Sequence, residues 1–237
     1  ANPVLGDPRF RSPRWQQLAA LRGDFGVRAV ISEASVPEIV AGYRRQVANS
    51  ARDIRASLAA RPIRHLQLGA DEVLASVESD AAAYEDFVRQ TLQEHQVTVM
   101  GFPDVSHETL VQRAIERQKP NDENGNGYRD TLIWLTLLDV ASRLDQDDYL
   151  VFVTADGDFV AGKSGDLHRE LRQEFAARAI TCTVTSCETT DEAVNHTQHL
   201  LDPDNAQVAR IKSKLNAQLI QAFVEKKVLS DPSIIIA

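Results

Sequence analysis

Tyr149-Leu150-Val151-Phe152-Val153-Thr154-Ala155-Asp156-Gly157-Asp158 is the stretch whose reading decides the fold. Residues 149–154 form a continuous apolar and β-branched run, the length of a strand buried on both faces in a parallel sheet. The run stops at an acidic turn. Ligands of open parallel α/β sheets bind beyond the carboxyl ends of the strands, so Asp156 and Asp158 stand where a site is expected.

Reading outward from that strand, helical and extended patterns alternate. Upstream, residues 128–144 read as a helix with Asp130 in its first turn, preceded by Pro120 and a polar Gly/Asn loop at 121–127. Ser106 caps a short helix to about Arg117, and 97–100 is briefly extended. Residues 71–95 carry apolar positions at spacings of three and four, from Val73 and Leu74 to Val88 and Leu92. Val27–Ile31 is a short strand feeding a long helix from about Ser35 to Ala60, with Glu38 in its first turn. Ser12-Pro13 starts a first helix, a cap followed by a proline at the first helical position. Downstream, 167–178 is helical, 180–185 is a strand, and 189–228 is mostly helix, broken at Asp202-Pro203. The pattern is α/β, with a mainly parallel central sheet and a helical C-terminal extension.

Composition narrows the classes. With 43% hydrophobic and 25% charged residues in 237, the chain can build a substantial core. The apolar run Thr131–Leu138 lies between Asp130 and Asp139, far short of the ~20 residues a membrane span needs. Two cysteines, Cys182 and Cys187, make neither a disulfide framework nor a zinc site, and a reducing cytoplasmic setting is expected. The formal charge of −8 argues against a polyanionic partner only as an average. Residues 1–65 hold 11 Lys and Arg against 5 acids, while 66–237 hold 15 against 29.

Carboxylates gathered from separate strand ends and helix starts usually share a cation, and hard oxygen donors favour Mg²⁺ or Mn²⁺. Each acid also has a local explanation. Ser35-Val36-Pro37-Glu38 spells a capping box. Asp130 is favoured by the dipole at its helix start. Asp156-Gly157 is a turn dipeptide. Asp122, Asn124, Asn126 and Gly127 match much of a calcium-binding loop, but position twelve is Ile133 where a bidentate carboxylate is required. No histidine sits in a nucleophile or metal-ligand motif, and Gly162-Lys163-Ser164 lacks the upstream glycine of a phosphate-binding loop.

The block Gly127-Tyr-Arg-Asp130-Thr-Leu-Ile-Trp134, followed by Val153-Thr-Ala-Asp156-Gly-Asp158-Phe159, resembles the PIN-like nuclease domains over roughly residues 1–185. In detail it is similar to a bacterial subgroup with a long helical insert before the third acid. The resemblance implies a three-layer PIN-like fold over 1–188, with the insert at about 61–120 and a helical extension at 189–237. It also implies metal-dependent hydrolysis of RNA phosphodiester bonds by an endoribonuclease using Mg²⁺ or Mn²⁺. On this resemblance Glu38, Asp130, Asp156 and Asp158 are the catalytic and metal-binding acids, Arg113, Arg117, Lys119 and Arg129 contact the substrate, and Asn2 and Thr154 support the cluster. The family's first acid ends the central strand, and here it would fall just before Ala1, so that strand is expected to be missing from the chain. Asp7 is the nearby substitute. RNA is the expected substrate, an antitoxin or a homodimer through the helical tail the expected partner, and a binding scaffold without catalysis the alternative.

Overall fold

The computed structural model describes residues 6–59, 70–161, 166–202 and 233–236. In chain order the elements are α1 (Pro13–Phe25), β1 (Arg28–Ser32), α2 (Ser35–Ala59), α3 (Ala70–Glu94), β2 (Thr98–Met100), α4 (His107–Ile115) and α5 (Tyr128–Ala141). They are followed by β3 (Tyr149–Val153), β4 (Val160–Ala161), β5 (Asp166–Leu167), α6 (Arg169–Ala177), β6 (Thr183–Cys187), α7 (Thr190–Leu200) and β7 (Ser233–Ile236). β1, β2, β3, β6 and β7 form one sheet in the order β2-β1-β7-β3-β6, all parallel, and β4 pairs antiparallel with β5.

The place in the sheet expected of a strand ahead of Ala1 is not empty. The central place, between β1 and β3, is filled by β7, which pairs Ser233–Ile236 with Arg28–Ile31 on one side and with Leu150–Val153 on the other. The segment beyond residue 188, expected as a helical extension, thus supplies α7 and a sheet strand. Residues 203–232, where the rest of the helical tail was expected, lie outside the described residues, as does the proposed support Asn2.

Strand alternation makes two cores, one on each face of the sheet. Ala29 and Ile31 of β1 and Val151 and Val153 of β3 pack under α1, α2, α3 and α7. Val30 of β1 and Leu150 and Phe152 of β3 pack under α5 and α6. A two-residue period puts successive side chains on opposite faces, which gives the three layers. Cys187 belongs to the first core and Cys182 to the second. Burial pushes both thiols up to about 11, so they are packing groups at neutral pH.

α5 is buried nearly all round: Leu132, Ile133, Trp134, Leu135, Leu137 and Leu138 are all core residues. That is the behaviour of a helix with no polar face. Its Thr136 hydroxyl donates to the Leu132 carbonyl at 2.8 Å and lies 3.1 Å from the Ser32 hydroxyl, fastening the helix to the end of β1. Ser12 caps α1 as its sequence implies, accepting from the Arg14 N–H, and Gly26 ends the helix with φ 69°.

Candidate metal and nucleic-acid site

From β1 the chain leads outward to β2, and from β3 it leads outward to β6 in the opposite direction. The order therefore reverses across the middle of the sheet, and such a switch point opens a crevice at the carboxyl ends of the strands. β7 holds β1 and β3 two strand spacings apart, about 9.5 Å. α2, which carries Glu38, follows β1, and the turn carrying Asp156 follows β3. A separate cleft of about 420 Å³ opens beside the ends of β3 and β6, lined by Trp15, Ala155, Glu188 and Thr189 among others but by none of Glu38, Arg129, Asp130, Asp156 or Asp158.

The loop ahead of α5 is built to place that helix's first turn. Asn121 is buried and donates from Nδ2 to the Gln118 carbonyl at 2.8 Å. The Asp122 carboxylate accepts from the Asn124 and Asn126 backbone N–H groups, each at 2.8 Å, and from Asn126 Nδ2 at 3.0 Å. These bonds hold its pKa below the usual carboxylate range. Asp122 is thus an Asx-turn residue, in keeping with the failed calcium pattern. Gly127 has φ 129°, and a Cβ there would lie 2.9 Å from the Asn121 Cα. Only glycine fits this approach. α5 consequently begins at Tyr128 and carries Arg129 and Asp130 in its first turn.

Arg129 is the centre of the site. One guanidinium nitrogen lies 3.0 Å from Glu38 Oε1 and the other 3.0 Å from Asp130 Oδ1. Desolvation lowers the pKa of this guanidinium, but Asp130 and Glu38, with a smaller contribution from Asp156, raise it above its ordinary value. Glu38 and Asp130 are 23% and 16% exposed, so both are partly desolvated yet reachable from solvent. The capping box read at Ser35–Glu38 does not form. Ser35 already lies within α2, its buried hydroxyl has no partner, and Glu38 reaches Arg129.

The turn after β3 is tightly held. The Asp156 N–H donates to the buried Thr154 hydroxyl at 3.2 Å, the Asp158 N–H donates to Asp156 Oδ1 at 2.9 Å, and His168 Nε2 lies 2.8 Å from the Gly157 carbonyl oxygen. Thr154 therefore supports Asp156 through the backbone. The Lys119 ammonium lies 2.9 Å from Asp158 Oδ1 and neutralises the outer acid of the turn.

Not every expected residue faces the crevice. Arg113 is corrected from a substrate contact to a buried tie: it pairs with Glu174 at 2.8 and 3.1 Å and donates to the Lys119 carbonyl at 2.7 Å. Glu174 also accepts from the Trp134 indole N–H at 3.1 Å, so one carboxylate joins α4, α5 and α6. A guanidinium so engaged is not free for a phosphate. Asp7 is not a substitute ligand either, because it accepts from the Arg11 and Ser12 N–H groups and from the Trp15 indole. Arg117 is exposed. Glu174 and His168 were not foreseen as supports, since their contacts span 61 and 11 residues and leave no local pattern.

A family model described as PIN domain matches residues 4–159, a span that contains Glu38, Asp130, Asp156 and Asp158. The chain belongs to the PIN-domain family. No curated protein and no solved structure is matched.

PIN domains are generally metal-dependent nucleases that use divalent ions such as Mg²⁺ or Mn²⁺. The donor set of this PIN domain is of the right chemistry, hard carboxylate oxygens from three separate elements. Two of them already converge on a single cationic group, and the third acts on the same group. As they stand, no three His, Cys, Asp or Glu side chains among the described residues form a ready cage. The cationic positions are taken by Arg129 and Lys119. The donor set has the chemistry for a divalent ion, with Glu38 and Asp130 engaged here by Arg129, whose side chain is 45% exposed.

Proposed function

We propose that this PIN domain is a metal-dependent endoribonuclease that hydrolyses phosphodiester bonds of RNA. The observation that carries the reading is the convergence of Glu38 and Asp130, from the starts of two distant helices, on one guanidinium within the field of Asp156. In this reading Glu38, Asp130 and Asp156 hold Mg²⁺ or Mn²⁺, and Asp158 assists from the same turn. The bound ion would supply Lewis acidity and an activated water for in-line displacement. In this reading Arg129, released from its carboxylates, is a cation beside the scissile phosphate, with the exposed Arg117, and Lys119 once freed from Asp158, as further phosphate contacts.

The test is cleavage of unstructured RNA with Mn²⁺ and with chelator, by the parent chain and by Asp130→Asn. The parent should cleave only with metal. Asp130→Asn should not cleave while keeping its thermal transition. Equal activity of the variant sinks the assignment. A second reading, a nucleic-acid-binding scaffold without catalysis, is favoured by the neutralisation of the acids by Arg129 and Lys119. It predicts RNA binding with no metal-dependent product.

A further inference from the structure

The arginines of the N-terminal quarter divide into those the fold consumes and those it leaves. Arg9 is held by Tyr43 and Asp80, Arg14 pairs with Asp191, and Arg22 donates to the Gln96 carbonyl. On α2, Arg44 donates to the Ala81 and Ala82 carbonyls at 3.0 and 3.3 Å, and Arg55 pairs with Glu78 at 2.8 Å. Both are turned toward α3. Arg45 and Arg52 are exposed, and neither has a hydrogen-bond or ion-pair partner among the described residues.

Their positions are ordered with respect to the site. Glu38, Arg45 and Arg52 are seven residues apart, so they fall on one line along α2, drifting only ~20° per step. At 1.5 Å per residue the line runs about 10 Å from Glu38 to Arg45 and about 21 Å to Arg52. Ala48, Asn49 and Ala56 beside it are exposed, whereas Ile39, Val40 and Ala51 face the packed side. The neighbouring helix is the opposite in charge. α3 carries seven acids and one arginine, while α2 carries four arginines and two acids. A polyanion leaving the crevice at Glu38 is drawn along α2 and repelled from α3.

We propose that this stripe of α2 is a track for the flanking phosphates of a single-stranded RNA, with Arg45 the nearer contact and Arg52 the farther. The proposal rests on the nuclease reading for its starting point and commits to nucleic acid because Arg45 and Arg52 are cationic, exposed and in helical line with Glu38. The double variant Arg45→Gln/Arg52→Gln tests it, since neither residue is held by the fold. Binding of poly-U is measured in chelator across a salt series, with cleavage of a dinucleotide measured separately in Mn²⁺. Losing two phosphate contacts should flatten the slope of log affinity against log salt by about 1.4, and either single variant by about 0.7. Dinucleotide cleavage should be unchanged.

A slope equal to that of the parent overturns the track, and if the dinucleotide is still cut the nuclease reading survives that failure. A flattened slope with no cleavage by any form keeps the track and removes the nuclease. If polyglutamate of matched charge displaces poly-U from the parent as well as poly-U itself does, the stripe reads acidic chains in general and the commitment to RNA falls.

Discussion

Replacing Arg129 with glutamine separates the metal from the residue that stands in its way. Arg129 makes two ion pairs of 3.0 Å, to Glu38 and Asp130, and both must break before those carboxylates can hold another cation. The guanidinium is 45% exposed, so each pair is an interface-type contact of about 0.2–1 kcal/mol, and together they stabilise the closed arrangement by about 0.5–2 kcal/mol. Removing that competition should tighten Mn²⁺ binding by about 2- to 30-fold, at 1.4 kcal/mol per tenfold. Free Mn²⁺ is counted directly by its electron paramagnetic resonance signal during titration of the whole chain. Asp130→Asn serves as the control that weakens binding. Arg129→Gln that remains folded yet binds Mn²⁺ no more tightly than the parent would refute the reasoning, because the guanidinium would then not be a competitor.

Three further outcomes follow from the packing. Glu174→Ala leaves the Arg113 guanidinium, only 10% exposed, without its partner and the Trp134 indole without an acceptor; urea unfolding should show a loss of about 2–3 kcal/mol, and a loss below about 1 kcal/mol would contradict the tie. Gly127→Ala forces a Cβ to 2.9 Å from the Asn121 Cα at φ 129°, a strain of about 1–3 kcal/mol that should lower the melting temperature and weaken Mn²⁺ binding together by displacing the first turn of α5. His196 is held below its ordinary 6.5 by burial first and His199 second, and its Nε2 has no partner. Folding therefore favours the neutral ring. The unfolded chain takes up this proton as pH falls through 6.5, so stability is fully present above 6.5 and declines below it until the folded ring is also protonated. His196→Gln should flatten the fall of the melting temperature as pH drops below 6.5, and an unchanged slope would count against the assignment.

What could be read ahead of the structure was local. Ser12-Pro13, the run 149–153, the acidic turn after it and the start of α5 at the Gly127 boundary each rest on the chemistry of a few adjacent residues, and each is present. Glu38 was legible as an acid at a helix start, yet its competing explanation as a capping residue could be removed only by seeing Ser35 inside the helix. Arg113 looked like a surface cation because nothing near it in sequence announces Glu174, 61 residues away. The basic N-terminal quarter was visible as a count, but the sorting of its arginines into internal ties and exposed charges depends on α3 lying beside α2. The central strand was the largest surprise. A Ser-Ile-Ile-Ile segment has no local feature that says between which strands it will pair.

The placement of β7 has a kinetic side. Its register joins Ser233 to Arg28, a closure of about two hundred residues, and without it β2-β1 and β3-β6 are two separate ribbons. The entropy of such a closure is met before any of its hydrogen bonds are made, which slows folding in proteins dominated by distant contacts. Glu38 belongs to one ribbon and Asp156 to the other. The two walls of the acid crevice thus meet across a strand from the far end of the chain, as well as through the two cores that both β1 and β3 share.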